Sequence, residues 1–233
     1  MHGGASMGSA PKCLSPQRAR RPRSGRLLLR AYNPEMSSSP EEVGAPEQFA
    51  TARLRAYRLQ PEHFALLLAM HQDGVTMATL GGVRSEQQTR EYLRRFLTHW
   101  NDNGFGMWVL YDREQRFVGR TALRRMELGG HMEVEAGCAL LAPFWKQGLA
   151  SEIVSALVEM AFTRLGLPNV AGFALPDNRA SIRILEKLGF AYEKDVEYAG
   201  RGHVLYRLKR EQFASHQPSP GVPPAAAPGK SRL

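Results

Sequence analysis

The chain is 233 residues long, with 43% hydrophobic residues and a formal charge of +9, a length that fits one ordinary domain with extensions better than two. No apolar run approaches the roughly 18–20 residues of a membrane-spanning helix, which argues against a membrane protein. The charge invites a nucleic-acid reading, but residues 1–35 carry Lys12, Arg18, Arg20, Arg21, Arg23, Arg26 and Arg30 against the one acid Glu35, which is +6 of the +9, so the remainder is nearly balanced and nucleic acid is not the expected partner.

In chain order, residues 1–48 are rich in Gly, Ser, Pro and Arg without a sustained apolar period, and read as disordered. Three origins compete for them: an organelle transit peptide, a basic arm for an anionic partner, or an upstream start with Met36 as the real initiator. The third is favoured because ordered sequence begins soon after Met36. Ala52–Leu59 alternates Leu54 and Ala56 with Arg53 and Arg55 and predicts a strand. Pro61 opens a helix to about His71, with Phe64, Leu67, Leu68 and His71 on one face. Ser85 and Gln88 form a capping-box signature for a helix carrying Tyr92, Leu93, Phe96, Leu97 and Trp100. Gly104–Tyr111 and Arg116–Met126 predict a hairpin, and Met132–Leu141 another strand. A long helix is expected over Gln147–Leu165, a short strand over Asn169–Leu175, and a helix over Arg179–Leu188 stopped by Gly189. Phe190–Tyr198 and His203–Lys209 close the folded part. A Pro/Ala-rich tail over 214–233 reads as disordered. The folded domain, 49–213, is thus expected to be α/β (α+β) with one mixed sheet.

Two cysteines, Cys13 in the extension and Cys138 in a predicted strand, argue against a structural disulfide. The seven histidines are scattered without zinc-site spacing, so no metal is expected, and a reducing cytoplasm is the default compartment.

Two constellations carry chemistry. Trp145-Lys146-Gln147-Gly148-Leu149-Ala150-Ser151-Glu152 joins a strand to the long helix. A strand, a small-residue turn and a helix gather unpaired backbone N–H groups at the positive end of a dipole, which suits a pyrophosphate. Gly148 allows close approach, Ala150 keeps the first turn open, and Lys146 adds charge; plain turn chemistry is the competing reading. The second is Pro176-Asp177-Asn178-Arg179-Ala180-Ser181, running on to Leu185-Glu186-Lys187-Leu188-Gly189-Phe190. Asn178 is a plausible N-cap and Ser181 lies one turn in.

Together these segments resemble a GNAT acyltransferase, specifically the RimJ/RimL-like branch of ribosomal-protein N-terminal acetyltransferases. Gly148 and Ala150 fill the small positions of the coenzyme A motif Q/R-x-x-G-x-G/A. Trp145 stands at its first position, and Lys146 where the branch usually has Gly. Asn178, Ser181 and the Leu185–Phe190 ending match, as do Thr51-Ala52-Arg53-Leu54 and Phe117-Val118-Gly119-Arg120, so the resemblance covers about Ala50 to Gln212. It implies a GNAT-like, mostly antiparallel six- to seven-stranded sheet with a V-shaped splay between strands 4 and 5, flanked by about four helices. It also implies acetyl-CoA as co-substrate, with the pantetheine arm against backbone groups near Cys138, Leu140 and Leu141. The pyrophosphate is expected on Lys146, Gln147, Gly148, Leu149, Ala150 and Ser151, with Asn178 and Ser181 alongside.

The expected reaction is acetyl transfer to a primary amine, a protein N-terminus or a small molecule, in a ternary complex. His131, Glu133 and Glu135 share one strand face, and Glu135, nearest the splay, is the expected base; a solvated acidic face is the bland alternative. The superfamily's usual Tyr acid would fall at Leu185, so Ser181 is the substitute. Cys138 offers a covalent route, with a buried strand cysteine as the simpler reading. Gly81-Gly82, Trp100 and Trp108 are candidates for lining the acceptor cleft. The missing Tyr leaves a second expectation, a catalytically weakened CoA-binding module. The chain is expected to be a monomer or homodimer.

Overall fold

A pair of long strands organises the domain. In the computed structural model, which describes residues 44–128 and 130–216, β4 (Phe117–Leu128) and β5 (His131–Leu140) run antiparallel, from Gly119 opposite Leu140 to Leu128 opposite His131. Neighbouring side chains on a strand point to opposite faces, and both faces are buried. Leu123 joins Val134, Ala136 and Leu140 in a core shared with α4 (Leu149–Thr163), whereas the adjacent Ala122 packs with Tyr92, Leu93 and Phe96 of α3 (Glu86–Asn103).

The remaining strands are β1 (Gln48–Ala50), β2 (Arg55–Arg58), β3 (Met107–Tyr111), β6 (Asn169–Ala174), β7 (Ala191–Tyr198) and β8 (Arg201–Lys209), in the order β1-β2-β3-β4-β5-β6-β8-β7. Neighbours are antiparallel except β5 and β6, which α4 joins as a crossover. The helices among the described residues are α1 (Phe64–Gln72), α2 (Gly74–Met77), α3, α4, α5 (Arg179–Lys187) and α6 (Arg210–His216).

The sheet therefore has eight strands rather than six or seven, and the flanking helices number six among the described residues rather than about four. The differences are short elements. β1 is three residues long and pairs Phe49 with Ala56; α2 is one turn, capped by the Asp73 carboxylate, which accepts from the Val75 N–H. Neither is long enough to set up a period. The expected strand at Ala52–Leu59 shrinks to Arg55–Arg58 because the chain bends at Ala52 and Arg53. Glycine 44 through Glu47, read as part of the extension, are anchored: the Ala45 N–H donates to Gly104 O, and the Trp108 indole donates to Pro46 O. The readings made on residues 1–43 and 217–233 lie outside the described residues.

Local signals set α3. Ser85 Oγ accepts from the Gln88 N–H while Gln88 Oε1 accepts from the Ser85 N–H, a capping box that satisfies end donors. Gly104 closes the helix at φ 69°, a conformation glycine adopts without Cβ strain.

The feature that positions the site lies between β5 and β6, the expected fourth and fifth strands. β5 pairs with β4 along its whole length and β6 with β8 along its whole length, but the β5–β6 register is confined to Glu135 opposite Ala171. Beyond that pair the two strands part.

Candidate functional site: a cleft between parted strands

A cavity of about 500 Å³ occupies the parting. Gly137 and Cys138 of β5 form one wall, Phe173 and Ala174 of β6 the other, and Asn178, Ser181 and Leu185 of α5 close one end. Two glycines give the space its shape. An added Cβ at Gly137 would lie 2.8 Å from the Glu135 carboxylate, which folds over it on the same strand face; one at Gly172 would lie 2.4 Å from the Leu185 side chain.

Backbone groups supply the polar edge. The Leu141 N–H donates to Val118 O and its carbonyl accepts from the Phe144 N–H. Bonding alternates along an antiparallel strand, so Cys138 and Leu140 turn their backbone groups towards the opening. The Leu140 carbonyl accepts from the Trp145 indole at 2.7 Å. Leu141, expected to pair with a ligand, therefore has both backbone groups engaged within the protein.

Asn178 caps α5 as expected: its side-chain oxygen accepts from the Ser181 N–H. Both residues line the cavity. Leu185, 6% exposed, fills the position expected of a tyrosine and packs over Gly172.

The α4 start lies beyond the cavity proper. Gly148 is its N-cap at φ 78° and makes no side-chain cap, so the first-turn amides of Leu149, Ala150 and Ser151 have no acceptor within the helix. Lys146 is left-handed at φ 59°, a conformation that costs a side-chain-bearing residue about 1–2 kcal/mol. The loop thus keeps a glycine-type geometry despite its lysine. Glu152, in the same first turn, is claimed by the β1–β2 bend: it accepts from Thr51 Oγ1, the Arg53 N–H and Arg53 Nε, and Arg53 Nη1 also donates to Gln147 O. Burial alone would raise the Glu152 pKa, but these bonds outweigh it and hold the pKa below the ordinary glutamate value.

The other end of the cavity is built from side chains. Arg84, Arg95, Arg120, Arg124 and Arg201 line it together with Tyr92 and Tyr198, against the lone carboxylate of Glu135. Glu135 is ion-paired with Arg124. Burial opposes the Arg124 charge, yet Glu135 wins and the guanidinium pKa is raised. Arg124 Nη1 also donates to the Tyr198 hydroxyl at 3.4 Å. Arg84 is held from behind by His71, whose Nε2 lies 3.0 Å from Arg84 Nη1 and whose Nδ1 lies 3.0 Å from Thr89 Oγ1. His71 is fully buried; that burial, with the charges of Arg120 and Arg84, lowers its pKa to about 3. The ring is neutral, and Nε2 accepts from the guanidinium.

Of the residues expected from sequence, the cavity brings together Glu135, Cys138, Asn178 and Ser181. Lys146, Gln147, Gly148, Leu149, Ala150 and Ser151 form the separate α4 mouth. His131 is exposed, and Glu133 lies in a bidentate ion pair with Arg207, Nη1 to Oε2 at 2.7 Å and Nη2 to Oε1 at 2.8 Å. Both are off the cavity. Burial pushes the Cys138 thiol up to about 12, so it stays protonated and is a poor nucleophile. Trp100 and Trp108 do not line the cleft: they are 5% and 0% exposed and meet edge to face at 4.7 Å in the core. Gly81 does reach the cavity. Sequence reasoning missed the arginines and tyrosines, although Arg120 and Arg124, four apart on a strand face that is otherwise buried, were a readable signal.

Comparisons with known proteins agree with this geometry. A family profile described as acetyltransferase (GNAT) domain matches residues 53–191. The uncharacterized protein YkkB of Bacillus subtilis (strain 168) is 25% identical over 174 residues, covering 72% of this chain and 98% of its own. The FsC-acetyl coenzyme A-N(2)-transacetylase of Aspergillus fumigatus is 28% identical over 194 residues, 75% of this chain and 81% of its own. Among solved structures, an acetyltransferase from Agrobacterium tumefaciens str. C58 superposes with a TM-score of 0.63 at 21% identity, covering 70% of this chain and 95% of that one.

Proposed function

Given that the chain belongs to the GNAT acetyltransferase family and is an acetyl-CoA-dependent N-acetyltransferase, we propose that it acetylates a primary amine, a small molecule or a protein N-terminus, by direct attack in a ternary complex. The observation that carries this reading is the parting of β5 from β6 after Glu135, with a cavity between them and a helix N-terminus beside each strand end. The residues present fit the co-substrate. Gly148 places no side chain over the α4 amides, which suit a pyrophosphate, with Lys146 adding charge. The backbone groups of Cys138 and the Leu140 N–H suit an amide-bearing arm laid along a strand edge. Asn178 and Ser181 flank that arm. Their pairing, with the Leu185–Phe190 ending, supports placement in the RimJ/RimL-like branch.

Acetyl-CoA, when bound, supplies an activated acyl group. The chain's own residues hold the amine in line with it, an effect worth roughly 7–11 kcal/mol of barrier when alignment is good. As the new C–N bond forms and the C–S bond breaks, the amine gives up one proton and the departing sulfur takes one. Glu135 is the acceptor of the first, through water, because it is the one carboxylate among the residues that line the cleft. Ser181, in the first turn of α5, donates a hydrogen bond to the sulfur and holds a water beside it. The proton that water gives to the sulfur is replaced from the one Glu135 received, and the positive end of the helix favours the thiolate meanwhile.

The test is turnover of acetyl-CoA against a panel of amines and N-terminal peptides, alongside a thermal shift with CoA. Binding should raise Tm, and Glu135→Gln should lower kcat about 10²–10⁴-fold at unchanged CoA affinity. A flat titration and an unmoved Tm would end the proposal. Binding without turnover of any amine would favour the second reading, a CoA-binding module weakened by Leu185 in place of an acid.

A further inference from the structure

The side-chain-built end of the cavity is charged in a way that acetyl transfer alone does not require. Five arginines line the cavity with one carboxylate, and that carboxylate is already engaged by Arg124. Three of the guanidinium groups crowd one ring: Arg84, Arg120 and Arg95 lie 4.9, 5.1 and 5.8 Å from the Tyr92 centroid. The ring face attracts each of them, but they repel one another, and in a half-buried site that repulsion is poorly screened. The pKa of Arg84 records it: burial, and then the charges of Arg120 and Arg95, lower it against the pull of Tyr92.

Arg95 and Arg201 are exposed to solvent, but Arg120 is partly buried and stands apart from the other inner arginines. Arg84 is held by His71 and Leu80 O, and Arg124 by Glu135 and Tyr198. The Arg120 side chain makes no hydrogen bond or ion pair among the described residues, and its Nε is buried without a partner. Arg58 Nε is likewise unpaired, but the rest of that guanidinium bonds Glu47 and Asn101. Buried donors are almost always paired in a finished structure, so an open guanidinium in a cavity marks where a ligand acceptor completes the set. Arg120 flanks Ala122, which packs against α3, on the face away from α4. The phosphates proposed for the α4 mouth are therefore not its partner.

We infer that the amine acceptor of this chain carries an anionic group, a carboxylate or a phosphate, received by Arg120 together with Arg84 and Arg95 around Tyr92. The inference deepens the proposed function and rests on it. A guanidinium offers a planar fork of donors matched to such oxyanions. The same positive field serves the reaction, because nearby cations disfavour the ammonium form and keep the acceptor amine neutral. A polycationic acceptor such as a polyamine meets repulsion instead.

The test uses matched pairs with the full-length chain: β-alanine and γ-aminobutyrate against their amides, O-phosphoethanolamine against ethanolamine, Asp- against Asn-leading peptides, and spermidine as the opposite charge. A thermal shift with CoA runs in parallel. The inference expects the acidic member of a pair to exceed its neutral partner at least about 10-fold in kcat/KM, with spermidine poorest; which pair responds separates carboxylate from phosphate and small amine from peptide. In Arg120→Met the acid-to-neutral ratio should collapse by about 10–100-fold through KM, and Arg120→Lys should retain part of it. Tm of the free Arg120→Met chain should hold or rise, since one of three like charges is gone, so a lost ratio is not misfolding. CoA binding with neutral amines or spermidine equal to or better than the acids, or with no acidic amine turned over, overturns the inference and leaves the proposed function standing. Absence of CoA binding overturns both.

Discussion

The two ends of the cleft are made of different material. At the α4 and α5 end the polar groups are mostly backbone: first-turn amides behind Gly148, strand edges at Cys138 and Leu140, and a helix start capped by Asn178. At the Tyr92 end they are side chains contributed by α3, β4, the segment before α3 and the adjoining ends of β7 and β8. A backbone-built surface is fixed once the elements are fixed, and suits a ligand part that does not change. A side-chain-built surface can be altered one residue at a time, and suits the ligand part that gives an enzyme its identity.

The largest effect should come from attacking the backbone-built end through its scaffold. Val118 is an extra residue between β3 and β4, since Leu110 pairs with Gly119 and Tyr111 with Phe117, and Gly119 then lies so close to β5 that an added Cβ would sit 2.2 Å from Ala139 O and 2.8 Å from Leu140 Cα. Both obstacles are main chain and cannot step aside. Gly119→Ala should destabilise the fold by at least ~3 kcal/mol in urea unfolding; a loss below ~1 kcal/mol would mean the strand edge is not rigid.

The side-chain-built end should be the part that senses acid. His71 has a pKa near 3 in the fold and near 6.5 when exposed. Between those values the unfolded chain binds the proton and the folded one resists it, so stability is greatest above pH 6.5 and declines as pH falls through the window. Each unit contributes at most 1.36 kcal/mol, or about 2 kcal/mol from pH 6.5 to 5. His71→Gln should flatten that slope in denaturation curves recorded across the window. An unchanged slope would show that the support behind Arg84 is not a neutral imidazole.

The smallest effect separates conformation from charge within one loop. Lys146→Gly should stabilise the chain by about 0.5–1 kcal/mol by relieving the left-handed backbone, while weakening CoA binding through the lost ammonium. If both properties fall, Lys146 is anchored by something other than its charge.

The contrast also explains what the sequence disclosed. Gly148, Ala150, Asn178 and Ser181 sit at fixed spacings beside helix starts, so local pattern placed them there, and the long periodic elements α3, α4 and β4–β5 were legible for the same reason. β1 and α2 were too short to show a period. Leu141 looked available because strand alternation cannot be phased from sequence; only the bonds to Val118 and Phe144 reveal which way it turns. Trp100 and Trp108 looked like cleft walls because aromatic residues serve both purposes. Arg120 and Arg124 share a strand spacing, but Arg84, Arg95 and Arg201 join them by tertiary contact from separate segments, so the full cluster appears only in the fold.

The clasp between the β1–β2 bend and α4 carries a last implication. A glutamate in the first turn of a helix proposed to receive phosphates would ordinarily push the incoming anion away, yet Glu152 has its oxygens committed to Thr51 and Arg53. Positions 53 and 152 are consequently a silenced pair whose members are not free to vary alone. Losing the arginine would uncover a repulsive charge at the doorway, whereas neutralising both together would leave the entrance as hospitable as before.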